Sequence, residues 1–176
     1  MSNAKTIDNL NKALRMEISA THQYQLHAHV LEDWGLVGLA AQMREEQTEE
    51  GGHSDRFLER ILFLKGEPEV AFDKPPVRAK TLREMFEADL KDEEEAIAFY
   101  SQAARAAAEE NDIGSRMLFE EIVLDEEGRT LDVTVSIGIA VTEGAQDTAA
   151  KLLERADQGL YRAKRDGRNR VVAEAA

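Results

Sequence analysis

The 176-residue sequence predicts a mainly α fold, a four-helix bundle with one long crossover followed by a small β-α-β tail. Three observations carry this reading. Up to Gly128 the chain is rich in helix formers, with apolar side chains every three or four positions. A link from Gly66 to Lys80, containing Pro68, Pro75 and Pro76, is long enough to cross a bundle end to end. After Gly128 the texture changes to β-branched alternation.

The first helix is predicted from Thr6 or Ile7 to Asp33, ahead of the Trp34-Gly35 break. Its apolar face follows Leu10, Leu14, Ala20, Tyr24 and Leu31, and Glu17 falls inside that face. The second helix runs from about Leu36 to Lys65, closed by Gly66-Glu67-Pro68, with the stripe Leu39, Met43, Glu46, Glu50, His53, Phe57, Ile61, Leu64. The third runs from about Thr81, a plausible N-cap, to Glu110, with Leu82, Phe86, Glu93, Ile97, Tyr100 and Ala104 in register. The fourth begins near Ile113 and carries Phe119, Ile122 and Glu126. In the tail, Leu131–Ile139 alternates with period two and reads as a strand. A helix from about Asp147, taken as the N-cap, to Arg165 and a short strand over Asn169–Ala173 complete it.

Charge and composition bound the function. The chain has 22 Lys+Arg against 35 Asp+Glu, a formal charge of −13. This excludes a general nucleic-acid surface and attraction to anionic membranes, and it suits a protein whose counter-ions are cations. With no cysteine there is no disulfide, Cys-ligated zinc or iron–sulfur cluster. No apolar run reaches the ~18 residues of a membrane span, and the polar N-terminus is not a signal peptide, so a soluble cytoplasmic protein is expected.

Each of the four helices places a carboxylate where an aliphatic side chain would be expected. One such residue is usually an edge position or half of a paired charge. Isolated buried anions are too costly to be repeated on every helix unless something positive sits among them. A Glu from each of two helices plus Glu-x-x-His from each of the other two forms a di-metal carboxylate site. Glu17 and Glu93 are the single carboxylates here, and Glu50-Gly51-Gly52-His53 is one Glu-x-x-His, with both side chains on one helix face.

The segments Leu10-Asn11-Lys12, Glu17, Gln23-Tyr24, Leu26-His27-Ala28, Trp34-Gly35-Leu36, His53-Ser54-Asp55-Arg56, Glu59–Leu64 and Asp125-Glu126-Glu127-Gly128 resemble bacterioferritin nearly continuously over residues 1–128. The resemblance implies a ferritin-like bundle and a ferroxidase centre with Glu17 and His53 on one iron, Glu93 on the other, and Glu50 and Glu126 bridging. It implies oxidation of Fe2+ to Fe3+ by O2 or peroxide for iron storage and detoxification, in a homo-oligomer. Tyr24 is expected beside the site as a hydrogen-bond donor, or as an ordinary core aromatic. Two departures matter. The family's haem-ligating Met stands where this chain has Gly51, so haem is not expected. The family's helix D motif is Glu-x-x-His, whereas this chain reads Glu126-Glu127-Gly128-Arg129, and arginine stays protonated and cannot ligate iron. The second metal position is therefore expected to be weakened and turnover impaired.

From Arg129 onward, Val133–Ala140 and Leu152–Val172 resemble the C-terminal third of a diguanylate cyclase (GGDEF) domain. In that family the equivalents of Lys164 and Arg168 contact GTP phosphates. The Gly-Gly-Asp/Glu-Glu-Phe hairpin and the metal-binding acids are missing from this chain, so cyclase activity is not expected, and the basic helix end reads as solvated. The chain thus reads as two parts, 1–128 and 129–176, a chimera. The alternative to a ferroxidase is a non-catalytic interaction module with a degenerate cyclase-derived tail. A two-stranded ribbon is marginal in water. The tail, with Val133, Val135, Leu152, Leu153, Ala156 and Leu160, is therefore expected to seek apolar cover on the bundle or on a neighbouring subunit.

Overall fold

Helix α1, Ala4–Asp33, turns into α2, Val37–Phe63, through a glycine stop. Gly35 sits at φ +77°, Gly35 N donates to Glu32 O (2.9 Å) and Leu36 N donates to Leu31 O (2.8 Å). The left-handed residue lets the last carbonyls of α1 find partners. The computed structural model describes residues 4–127, 136–141, 148–167 and 171–174. Helix α2 stops at Phe63 rather than at Lys65, and the left-handed residue of its exit is Lys65 itself (φ 63°), with Gly66 N donating to Ile61 O at 2.9 Å. Helix α3 is Leu82–Glu109 and α4 is Ile113–Glu127. Thr81 caps α3 by accepting from Glu84 N at 3.1 Å, and Asp112 caps α4 by accepting from Ser115 N at 3.0 Å. Within this bundle α1 packs chiefly on α2 and α3 on α4, while α1 also meets α3 and α2 meets α4.

The crossover between α2 and α3 is clipped to α1 by polar side chains spaced along one face. Asn11 bonds Glu67 O and Glu69 N (3.0 and 2.8 Å), and Ser19 Oγ accepts from Asp73 N (2.9 Å). Gln23 exchanges two bonds with Val77 (2.8 and 2.9 Å). From Asn11 to Gln23 is a rise of about 18 Å at ~1.5 Å per residue, so the crossover carries the chain along much of the bundle.

Two apolar clusters fill the bundle, and a polar band separates them. Leu10, Leu14, Phe57, Ile61, Tyr100 and Phe119 belong to one; Tyr24, Ala28, Leu31, Ala40, Met43 and Met85 belong to the other. On α1 the band falls at Glu17, and on α2 at Glu50 and His53, all buried.

The chain divides into two compact units, Met1–Arg129 and Thr130–Ala176. In the second, strands β1 (Ile137–Ala140) and β2 (Val171–Glu174) pair in parallel, Ile137 opposite Val171 and Ala140 opposite Glu174, joined through α5 (Ala149–Arg165). The N-cap of α5 is Thr148, whose Oγ1 accepts from Lys151 N at 3.3 Å; the expected cap, Asp147, and the strand residues Leu131–Val135 lie outside the described residues. Glycine is required at 138, because a Cβ there would stand 2.0 Å from Ala156 O and 2.3 Å from Leu160 N of α5. Leu153 is 71% exposed.

Candidate metal centre

Helices α1, α2 and α4 converge four side chains in the polar band. Glu17, Glu50, His53 and Glu126 each offer one ligand atom, all within 4.8 Å of one another, and all four residues are buried. His53 Nδ1 is 3.2 Å from Glu50 Oε2, 3.2 Å from Glu126 Oε1 and 4.0 Å from Glu17 Oε1. Its other nitrogen faces Asp125, with Nε2 to Oδ2 at 3.7 Å, and Asp125 in turn pairs with Arg56 at 3.6 Å. The hydrogen bond between His53 Nδ1 and Glu50 orients the ring, and Asp125 faces the other nitrogen at ion-pair distance.

Glu93 of α3 joins the same region from the opposite side. It is half-buried, accepts a hydrogen bond from Tyr24 Oη at 2.5 Å, and feels the charges of Glu126 and Glu50. Tyr24 is thus a donor to this carboxylate and a member of an apolar cluster at once. A cavity of about 320 Å³ is lined by Glu17, Tyr24, Glu50, Glu93, Tyr100 and Glu126 among others.

The electrostatics follow from crowding anions out of water. Burial, reinforced by Glu50, pushes the Glu17 carboxyl well above the usual carboxylate range. Burial first, then the neighbouring Glu126 and Glu50, raise Glu93 to about 8, against the opposing bond from Tyr24. Burial alone would lower the His53 imidazole, but its bonds to Glu126 and Glu50 outweigh that and raise it to about 9. Both tyrosines are held in the phenol form, each by burial and then by the carboxylate it faces. Such a set holds protons that a dication can displace, and its hard oxygen donors with one imidazole suit Fe2+ and its oxidised product.

Three features escaped the sequence reading. Tyr100, read as a stripe residue, donates from Oη to Glu17 Oε1 at 2.6 Å. Asp89 and His27 are buried beside the cavity with Oδ1 and Nδ1 3.2 Å apart. Asp125 backs His53. Only Tyr100 left a signal, since it follows Glu93 by the interval at which Tyr24 follows Glu17. Arg129 lies outside the described residues.

The ferritin-like domain family matches residues 7–133. Bacterioferritin of Rhodobacter capsulatus is 42% identical over 136 residues, covering 76% of this chain and 84% of that protein. The chain belongs to the bacterioferritins of the ferritin-like family. Brucella melitensis bacterioferritin is 39% identical over 140 residues, covering 76% of this chain and 87% of that one. Among solved structures, the R. capsulatus bacterioferritin, described with a metal-free dinuclear site and a haem iron, superposes with TM-score 0.70 at 43% identity over 72% of this chain and 79% of that chain. Mycobacterium tuberculosis bacterioferritin gives 0.69 at 35%, covering 72% and 80%. The ferritin-like architecture, a mainly helical bundle with a long α2–α3 crossover, is thereby established for the first unit. Among the described residues no helix is long and apolar enough to cross a membrane.

Proposed function

We propose that this bacterioferritin relative binds Fe2+ at Glu17, Glu50, His53, Glu93 and Glu126 and oxidises it to Fe3+ for storage and detoxification. The observation that carries the reading is the buried quartet Glu17, Glu50, His53 and Glu126, whose ligand atoms lie within 4.8 Å of one another. Glu17 and His53 would hold one iron and Glu93 the other, with Glu50 and Glu126 shared between the two. Tyr24 holds Glu93 in place through its 2.5 Å bond. Four carboxylates neutralise two Fe2+ and favour the more highly charged product. Each Fe2+ gives up one electron. With peroxide as oxidant, two Fe2+, one H2O2 and two protons yield two Fe3+ and two waters; O2 is the other candidate.

The two positions are unequal in this reading, because the one served by Glu93 has Arg129 where the family has its second histidine. Its occupancy is weaker and turnover lower than in an intact relative. Haem is not expected: Gly51 has no side chain to ligate it. The protein is taken as a cytoplasmic homo-oligomer without nucleic-acid or membrane partners. The second unit is read as a degenerate diguanylate-cyclase-derived fragment, without cyclase activity. Its presence in the same chain favours, as second reading, a non-catalytic interaction module.

Anaerobic Fe2+ titration by calorimetry separates the two. Binding that a Glu17→Ala variant loses supports the ferroxidase reading; no binding above that control removes it.

A further inference from the structure

Two helices of the centre carry the same interval. Glu17 and Tyr24 are seven residues apart on α1, and Glu93 and Tyr100 are seven apart on α3. Seven residues make two helical turns, about 10.5 Å, so each pair lies on one face of its helix. The pairs are reciprocal across the α1–α3 seam. Tyr24 of α1 donates to Glu93 of α3 at 2.5 Å, and Tyr100 of α3 donates back to Glu17 of α1 at 2.6 Å. The two carboxylates that come singly from their helices are therefore each held by a tyrosine of the other helix. Glu50 and Glu126, by contrast, face His53.

We propose that Tyr100 is a positioning residue of the iron site, holding the Glu17 carboxylate in the orientation in which it faces His53; this rests on the ferroxidase reading above. Packing alone accounts for the ring and not for the hydroxyl. The ring centroid lies 5.6 Å from Phe57, 5.8 Å from Phe99 and 6.1 Å from Phe119, a setting in which phenylalanine would serve as well. Tyr100 is 1% exposed, and a hydroxyl placed there costs free energy unless it is paired. Its partner is Glu17. A carboxylate oxygen has two acceptor directions, so Oε1 can keep the phenol bond and still face the metal position, where His53 Nδ1 stands 4.0 Å away. An O–H···O bond of 2.6 Å is at the short end for a hydroxyl donor and selects one rotamer of the Glu17 carboxyl before metal arrives. The carboxylate then enters the site without the disorder that binding would otherwise have to remove.

The test uses the full chain and Co2+ as an anaerobic probe of the Fe2+ positions, followed by visible absorption and calorimetry. Tyr100→Phe keeps the ring and removes the hydroxyl. It is expected to weaken Co2+ about tenfold at the Glu17–His53 position, the scale of one hydrogen bond to a charged group. Tyr24→Phe should weaken the Glu93 position instead. In a Glu17→Ala background, Tyr100→Phe should change the binding isotherm no further. An unchanged affinity in Tyr100→Phe overturns the proposal. So does an equal loss at both positions accompanied by a lower metal-free melting temperature, or an undiminished effect in the Glu17→Ala background. If the unmodified chain binds no Co2+, the ferroxidase reading falls and this one with it. If the unmodified chain binds and Glu17→Ala weakens it while Tyr100→Phe does not, only the role of Tyr100 fails.

Discussion

Asp112 closes the start of α4 by accepting from Ser115 N (3.0 Å) and Ser115 Oγ (2.8 Å), and it pairs with Arg60 of α2. Burial alone would raise its carboxyl, but the bonds from Ser115 and the Arg60 charge hold it below the usual range. A folded-state value below the unfolded one means stability that is present above about pH 4 and is lost as pH falls through the folded value. Asp112→Ala should therefore cost ~1 kcal/mol at pH 7, the scale of a lost N-cap. Thermal melts should show the gap between variant and parent narrowing as the pH falls below the ordinary Asp range, about 4. A gap that does not narrow on acidification would contradict the assignment. Arg129 supports a second prediction at this scale. Arg129→His restores the missing imidazole and should raise the Fe2+ stoichiometry of the weaker position in an anaerobic titration. Two equal Fe2+ positions in the unmodified protein would count against the asymmetry.

Helix α2 carries two adjacent glycines, Gly51 and Gly52, in its interior, between the candidate ligands Glu50 and His53. A Cβ at either would meet nothing within 4 Å, so neither glycine is there to make room within this chain. Gly52→Ala should stabilise by roughly 0.5–1 kcal/mol through backbone entropy, read as a higher melting temperature with metal binding retained. Gly138 lies at the other extreme, since α5 backbone already occupies the space its Cβ would need; Gly138→Ala should unfold the β-α-β unit, seen as loss of its amide protection. The helices themselves were legible because a 3.6-residue apolar period recurs over many turns, and Glu17, Glu50, His53 and Glu126 stood out as charge inside an apolar stripe. Tyr100 did not stand out, because a tyrosine in a stripe looks the same whether its hydroxyl meets water or a buried carboxylate. Asp89 was passed over for a related reason, since its partner His27 lies on another helix and pairing across helices leaves no trace in local spacing. The end of α2 falls two residues before Lys65, and the left-handed residue is Lys65 rather than the adjacent glycine, which is the stronger signal in the sequence.

At the scale of the whole molecule, both apolar clusters of the bundle draw their buried members from Leu10 through Ile122. A chain cut after Gly128 should melt lower than the full chain if the tail supplies the apolar cover expected of it; an unchanged melting temperature would make the tail a passenger. The crossover gives the first unit a different kind of vulnerability. It has no regular secondary structure of its own and is fastened along α1 by Asn11, Ser19 and Gln23 and to α3 by Lys74, whose amine reaches Asp92 at 2.7 Å and Glu95 at 2.6 Å. These fastenings raise the Lys74 amine above its ordinary range. Because Asp73, Lys74 and Val77 also line the cavity that reaches Glu17 and Glu93, this stretch is a side wall of that cavity, and the wall is buttoned on while the helices are built in. A wall of that kind can come loose while the frame stands. Undoing one button, as in Ser19→Ala, should leave the helical content unchanged, and amide exchange at Lys74, whose N–H donates to Ser19 Oγ at 3.2 Å, should quicken well before any helix begins to melt.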